Sequence, residues 1–216
     1  MDATILCIQV QKGEDDPQTE ADRQAQVLLV SAFLSKWPTI KVVGEEGGLG
    51  HTEYTKKAID ADLDSSVMAE KCPENLGNIT LEDVVVWIDP LDGTKEFTQG
   101  VVSAVTVLVG IAVRGQAVGG VVYQPFHSKT NDGYTGRAVW GITGLGAFGY
   151  TPCARTRSGL YISTTRSHAT KELEKAIEYL SPEKVIRVGG AGNKACQATI
   201  SMHPRIHAVC RSPDVS

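Results

Sequence analysis

Asp89 and Asp92 stand three residues apart in the run Trp87-Ile88-Asp89-Pro90-Leu91-Asp92-Gly93-Thr94. The apolar stretch before them, Val84-Val85-Val86-Trp87-Ile88, reads as a short buried strand. Pro90 cannot extend a ladder and fixes its own φ. Gly93 permits a close backbone approach. Two acids fixed at a strand end, beside a Gly-Thr pair with backbone N–H groups, suit a divalent metal together with a phosphate. Asp22, in the first turns of a helix, and Glu45-Glu46, between a strand and glycines, share this setting. Carboxylates gathered at strand ends can converge on a hard cation, which takes oxygen ligands and offsets their mutual repulsion. A lone acid of this kind is ordinarily a solvated loop residue or a helix cap. The Asp-Pro-Leu-Asp-Gly-Thr string after an apolar strand is not explained that way.

The elements that must position these acids are legible along the chain. A helix begins in the segment Asp16-Pro17-Gln18-Thr19-Glu20, with an acidic or hydroxyl N-cap and Pro17 in its first turn. It continues through Ala21, Ala25, Leu28, Leu29, Ala32 and Phe33 and ends at Trp37-Pro38. Ile40-Lys41-Val42-Val43 is a strand leading to Glu45. Residues 49–80 form a polar excursion with a helix over about 53–70. A β-hairpin pairs 105–113 with 117–123 across Arg114-Gly115-Gln116. A glycine-rich strand pair covers about 138–150. Beyond it come a strand at 162–165, an amphipathic helix at 169–180 and a strand at 185–188. A glycine turn, a helix from Asn193 and a last strand at 206–210 complete the order. Interleaved helices and strands with hairpins in the middle predict an α+β layered sandwich with mixed, largely antiparallel sheets. Two domains are expected, 1–155 carrying the acids and 156–216 forming a second, partial α/β unit.

The 216 residues are 42% hydrophobic with a net charge of −4, enough for one large domain or two small ones. A mildly acidic chain lacks the basic patch that a nucleic-acid polymer requires. No apolar run reaches the roughly 18 residues of a membrane span. The five cysteines are scattered, with no Cys-x-x-Cys pair, and read as reduced thiols of a cytoplasmic protein. His203 and His207 flank Pro204 and are a poor zinc pair.

Trp87–Thr94, with Val43-Gly44-Glu45-Glu46 upstream, resembles the lithium-sensitive, magnesium-dependent phosphomonoesterases of the inositol monophosphatase type. The resemblance is closest to the 3′(2′),5′-bisphosphate nucleotidases. It is carried by five further motifs. These are Asp16-x-Gln-Thr-x-Ala-Asp22-Arg23, Asp92-Gly-Thr-Lys-Glu-Phe-Thr98, Trp140-Gly-x-x-Gly-Leu-Gly-Ala-Phe-Gly149, Thr164-Thr-Arg-Ser-His168 and Val188-Gly-Gly-Ala-Gly-Asn-Lys194. They occur in order over about 14–197.

The resemblance implies the sugar-phosphatase fold and a role for each site residue. Glu45, Asp89 and the Leu91 carbonyl would hold a first Mg2+, and Asp89 and Asp92 a second. Asp22 and Thr94 would orient the attacking water. Gly93 and Thr94 N–H groups would bind phosphate oxygens. Ser167 and His168 would lie near the nucleotide. The turn at Gly190 and Ala191 would bind a second phosphate through N–H groups and the helix dipole, with Lys194 as a point charge. Arg166 and Arg187 are further anion contacts. The implied reaction releases the 3′-phosphate of adenosine 3′,5′-bisphosphate, giving AMP and phosphate, without a phosphoenzyme. Related sulfated nucleotides are further substrates.

The ends depart from the pattern. About a dozen residues precede Asp16, of which 5–10 could supply one strand. The family's Trp-Asp-x-Cys-Ala motif, whose aspartate is a ligand of the second metal, has no counterpart, and Asp214 is a poor substitute. The expectation is therefore a fragment, splice product or diverged form, incomplete in its C-terminal part, whose last strand lacks a neighbour and whose apolar surface is exposed. Two other readings compete: an inositol polyphosphate 1-phosphatase, and an inert truncated isoform that keeps metal or nucleotide binding.

Overall fold

The computed structural model describes residues 9–13, 16–46, 62–151, 159–166, 169–200 and 207–208. Strands β1 (Gln9–Gly13) and β2 (Asp16–Thr19) form an antiparallel pair that leads into helix α1 (Glu20–Lys36). Pro17 thus lies in a strand, not in the first helical turn. Thr19 is the N-cap, and Asp22 at the third helical position completes a capping box. Trp37 closes the helix through its N–H to the Phe33 carbonyl at 2.8 Å.

A six-stranded sheet is the main scaffold. Its order is β3 (Lys41–Gly44), β4 (Val84–Asp92), β5 (Thr106–Val113), β6 (Gln116–Thr130), β7 (Gly133–Ile142) and β8 (Gly146–Phe148). Only β3 and β4 are parallel. The other pairs are antiparallel, as the hairpin-rich middle of the sequence predicts. Arg114 and Gly115 both take positive φ, 51° and 79°, the conformation of a two-residue hairpin turn whose twist matches its strands. Arg114 is held there by its N–H on the Asp83 carbonyl and by its guanidinium on the Asp83 carboxylate.

Two features of β4 differ from the sequence expectation. The strand does not stop before Pro90 but runs on to Asp92. Asp89 faces Leu108 while Asp92 faces Thr106, so three steps on one strand answer two on the other. That is a bulge, and it accommodates a residue that has no N–H to give. The apolar run is also buried on one face only. Val86 and Ile88 are 2% and 3% exposed, whereas Trp87 is 54% exposed. Val86 and Ile88 pack with Val30 of α1 and with Ile40, each such side chain contributing roughly 1.5–3 kcal/mol.

Within the expected 53–70 helix, residues 53–61 lie outside the described part, and the remainder holds a single turn, α2 (Ser65–Met68). Helix α3 (Thr94–Thr98) follows the β4 turn directly. A second sheet, ordered β10-β9-β11, is wholly parallel: β10 (Lys184–Val188) and β11 (His207–Ala208) flank β9 (Tyr161–Thr165). The last strand thus pairs with β9 on one side and, among the described residues, forms an edge of this sheet. Helix α4 (Lys171–Leu180) joins β9 to β10. Helix α5 (Ala191–Ile200) starts two residues earlier than the sequence suggested. Its Gly192 lies against Leu108, Thr106 and Val122 on the side of the large sheet opposite α1, where a Cβ would meet all three. The chain is thus layered, helix on sheet on helix, with the aspartate turn at one end.

Gly44 is where β3 meets α1. A Cβ there would collide with the amide of Gln26, a fully buried side chain whose Oε1 accepts the Glu46 N–H at 2.9 Å. Gly44→Ala is expected to lower stability by about 1–3 kcal/mol through overpacking, measured as a lower urea midpoint. An unchanged midpoint would show that Gln26 yields freely.

Candidate metal and phosphate site

Asp22 is the most enclosed acid of the site, at 1% exposure. Its Oδ2 accepts the Thr19 N–H at 2.9 Å and also the Thr19 hydroxyl. Its Oδ1 accepts the Thr94 hydroxyl at 2.9 Å. The same hydroxyl lies 3.0 Å from the Leu91 carbonyl. One bond therefore ties the first turn of α1 to the first residue of α3 across 72 positions of chain. Leu91 itself is buried with Phe97 and Val105, so its side chain anchors the turn while its carbonyl faces Thr94.

Glu45 follows β3, and its N–H donates to the Ile88 carbonyl at 2.9 Å. The parallel pairing of β3 with β4 brings it beside Asp89. Asp89 accepts the Leu91 N–H at 3.1 Å. Burial, then the negative charges of Glu45 and Asp92, push the Asp89 carboxyl up to about 8, and a hydrogen bond with Glu45 favours its protonated form further. Two carboxyl groups that face each other in this way repel unless a proton or a cation offsets their charge.

Asp92 is turned toward α5. Its Oδ1 accepts the Ala191 N–H at 2.8 Å. Its Oδ2 accepts the Gly192 N–H at 2.8 Å and the Thr106 hydroxyl at 2.6 Å. An acid at a helix N-terminus, meeting N–H groups that have no intrahelical partner, is favourably placed. Among the described residues no three His, Cys, Asp or Glu side chains are grouped closely enough to hold one ion between them. The fold brings Glu45 and Asp89 together, sets Asp92 near enough to raise Asp89, and directs the Asp92 oxygens at α5. This all-oxygen donor set is of the type that hard divalent cations take.

The turn expected to bind a second phosphate is present, with Gly190 at φ 72°. In this structure the Ala191 N–H is engaged by Asp92. Lys194 is buried, and its Nζ donates to the Gly190 carbonyl at 2.9 Å. Arg166 donates to Glu96 and Gln99, and Arg187 to Glu174 on α4. Ser167, His168 and Asp214 lie outside the described residues.

Sequence reasoning gave no role at the site to three contributors. Thr19 is detectable as the head of a Thr-x-x-Asp capping box. Thr106 and Glu96 carry no local signal, because their partners are distant in the chain.

The model of the inositol monophosphatase family matches residues 4–200. The chain belongs to this family. The 3'(2'),5'-bisphosphate nucleotidase 1 of Homo sapiens is 42% identical over 184 residues, covering 84% of this chain and 59% of that protein. The protein of the same name from Dictyostelium discoideum is 34% identical over 210 residues, covering 90% of this chain and 68% of that one. The present chain thus spans less than two thirds of the human relative. Among solved structures, an IMPase/NADP phosphatase complexed with Mg2+ and phosphate matches with a TM-score of 0.58 at 15% identity. It covers 89% of this chain and 62% of that one, a likeness of fold. Among the described residues no helix is long and apolar enough to cross a membrane.

Thr106→Val removes one of the three donors to Asp92 and leaves a partly buried carboxylate short of a partner. The expected cost is about 1–3 kcal/mol, read from urea unfolding. A variant as stable as the parent would mean that Asp92 is held by α5 alone.

Proposed function

We propose that this chain carries the catalytic turn of a magnesium-dependent phosphomonoesterase acting on adenosine 3′,5′-bisphosphate, releasing the 3′-phosphate to leave AMP. The observation that carries the reading is the meeting of Asp22, Thr94, Glu45 and Asp89 at one sheet end, in a chain 42% identical to a bisphosphate nucleotidase. Glu45, Asp89, the Leu91 carbonyl and Asp92 would hold Mg2+. When bound, the metal supplies positive charge to the phosphoryl oxygens and lowers the pKa of a water.

The chain's own residues do the positioning. Thr94 has one hydroxyl proton, and the Asp22 Oδ1 accepts it at 2.9 Å. That leaves the Thr94 oxygen lone pairs to accept a proton of the attacking water, while buried Asp22 keeps the hydroxyl oriented. Gly93, in the left-handed region at φ 92°, turns the backbone so that the Gly93 and Thr94 N–H groups can face phosphate oxygens. Ser167 and His168 would contact the nucleoside end. Gly190, Ala191 and Lys194 would meet the 5′-phosphate once its oxygens replace Asp92 at the Ala191 N–H. Residues 1–155 would form the metal-bearing unit and 156–216 the nucleotide-bearing one, joined through Asp92. The protein would work in the cytoplasm.

Phosphate release from adenosine 3′,5′-bisphosphate with magnesium tests the reading. Turnover is expected, reduced by lithium. Asp89→Asn is expected to lower it by about 10²-fold or more, because the shared ligand charge is lost. Release from inositol 1,4-bisphosphate alone would overturn the substrate assignment. Full turnover in Asp89→Asn would overturn the metal assignment.

A further inference from the structure

Glu96 lies one turn beyond Asp92 in the same Asp-Gly-Thr-Lys-Glu segment, on α3. It is 4% exposed, an uncommon place for a carboxylate. Its Oε1 accepts Arg166 Nη2 at 3.3 Å, and the same Nη2 donates to Gln99 Oε1 at 2.5 Å. Arg166 is the residue that follows β9, immediately before Ser167 and His168. The same carboxyl group, through its Cδ and Oε1, lies against Gly189, where a Cβ would collide with it.

The neighbouring backbones touch as well. A Cβ on Gly93 would be 3.7 Å from the Gly190 Cα, and one on Gly190 would be 2.5 Å from the Ala104 carbonyl. Asp92 and Glu96, four residues apart, thus hold the 189–192 turn from two sides. Asp92 does so by accepting the Ala191 and Gly192 N–H groups, and Glu96 by filling the space beneath Gly189. Only the Glu96 side of the pair is buried, Arg166 being 39% exposed, so the pair contributes little to stability by itself and its effect is on position.

We infer that Glu96 is a positioning residue: with Arg166 it latches the end of β9 and the 189–192 turn onto the Asp89–Thr94 turn. It thereby sets where the nucleotide end of a substrate lies relative to the phosphate that leaves. The latch stands on the geometry above, and its effect on substrate rests on the nucleotidase reading. Glu96 is assigned no contact with reacting atoms, so its loss acts on binding of the nucleotide end more than on the chemical step.

The test compares the parent protein with Glu96→Gln, Arg166→Ala and the double variant. Glu96→Gln keeps the volume and removes the charge, and so preserves the fold where a truncation could lose it. Hydrogen exchange over 189–194 is expected to be about tenfold faster in either single variant, with no further gain in the double. With adenosine 3′,5′-bisphosphate, KM is expected to rise about tenfold while kcat stays within about threefold. Unchanged exchange at 189–194 would overturn the latch, as would a rise spread equally through the six-stranded sheet. A fall in kcat at constant KM would overturn the positioning role. If the parent releases no phosphate from the bisphosphate, the nucleotidase reading fails and the exchange result alone decides the latch.

Discussion

Holding several carboxylates together, partly out of water, is the constraint on which the structure turns. Each such group is expensive unless donors or a counter-charge compensate it. The fold answers acid by acid. Asp22 receives the Thr19 N–H and hydroxyl and the Thr94 hydroxyl. Asp92 receives two N–H groups of α5 and the Thr106 hydroxyl. Asp89 faces Glu45, and its carboxyl is pushed up to about 8 by burial and by its neighbours' charge. The first two acids are satisfied by the protein itself. The third pair is the one for which a cation would be the natural compensation.

Those donors come from distant parts of the chain, so satisfying the acids also assembles the molecule. Asp22 joins the start of α1 to the start of α3. Asp92 joins the end of β4 to the start of α5 across about a hundred residues. Backbone carries the rest of the approach. Gly93 and Gly190 both take positive φ, and no side chain separates their turns. Substituting either would strain the backbone, and a Cβ on Gly190 would also press on the Ala104 carbonyl. Through these two acids and two glycines the segment from which α5 starts is fitted to the turn at the end of β4.

Much of this was legible residue by residue. The hairpin at Arg114-Gly115-Gln116 between two β-rich runs was legible, though Gln116 pairs with Val113 and so belongs to the returning strand, leaving a two-residue turn. Thr19, three residues before Asp22, specifies the start of α1. The acids at the ends of β3 and β4 were visible as acids after apolar runs. Pro90 misled, because a residue without an N–H reads locally as the end of a ladder, whereas the bulge that carries β4 past it depends on β5. The burial of the 84–88 run was overstated for a similar reason. Continuous apolarity does not say which face a helix will cover, and α1 covers Val86 and Ile88 but not Trp87.

The sequence by itself determined the chemistry on offer: which acids, which hydroxyl, which glycines, and the family motifs that order them. These depend on residue type and short spacing, which the chain states directly. Only the tertiary structure decided how the acids are shared out. Asp92 meets the start of α5, Thr94 meets Asp22, and Glu96 meets both Arg166 and Gly189. Each of these contacts joins elements 70 or more residues apart. Such a pairing is set by sheet register and helix packing rather than by anything local to either residue.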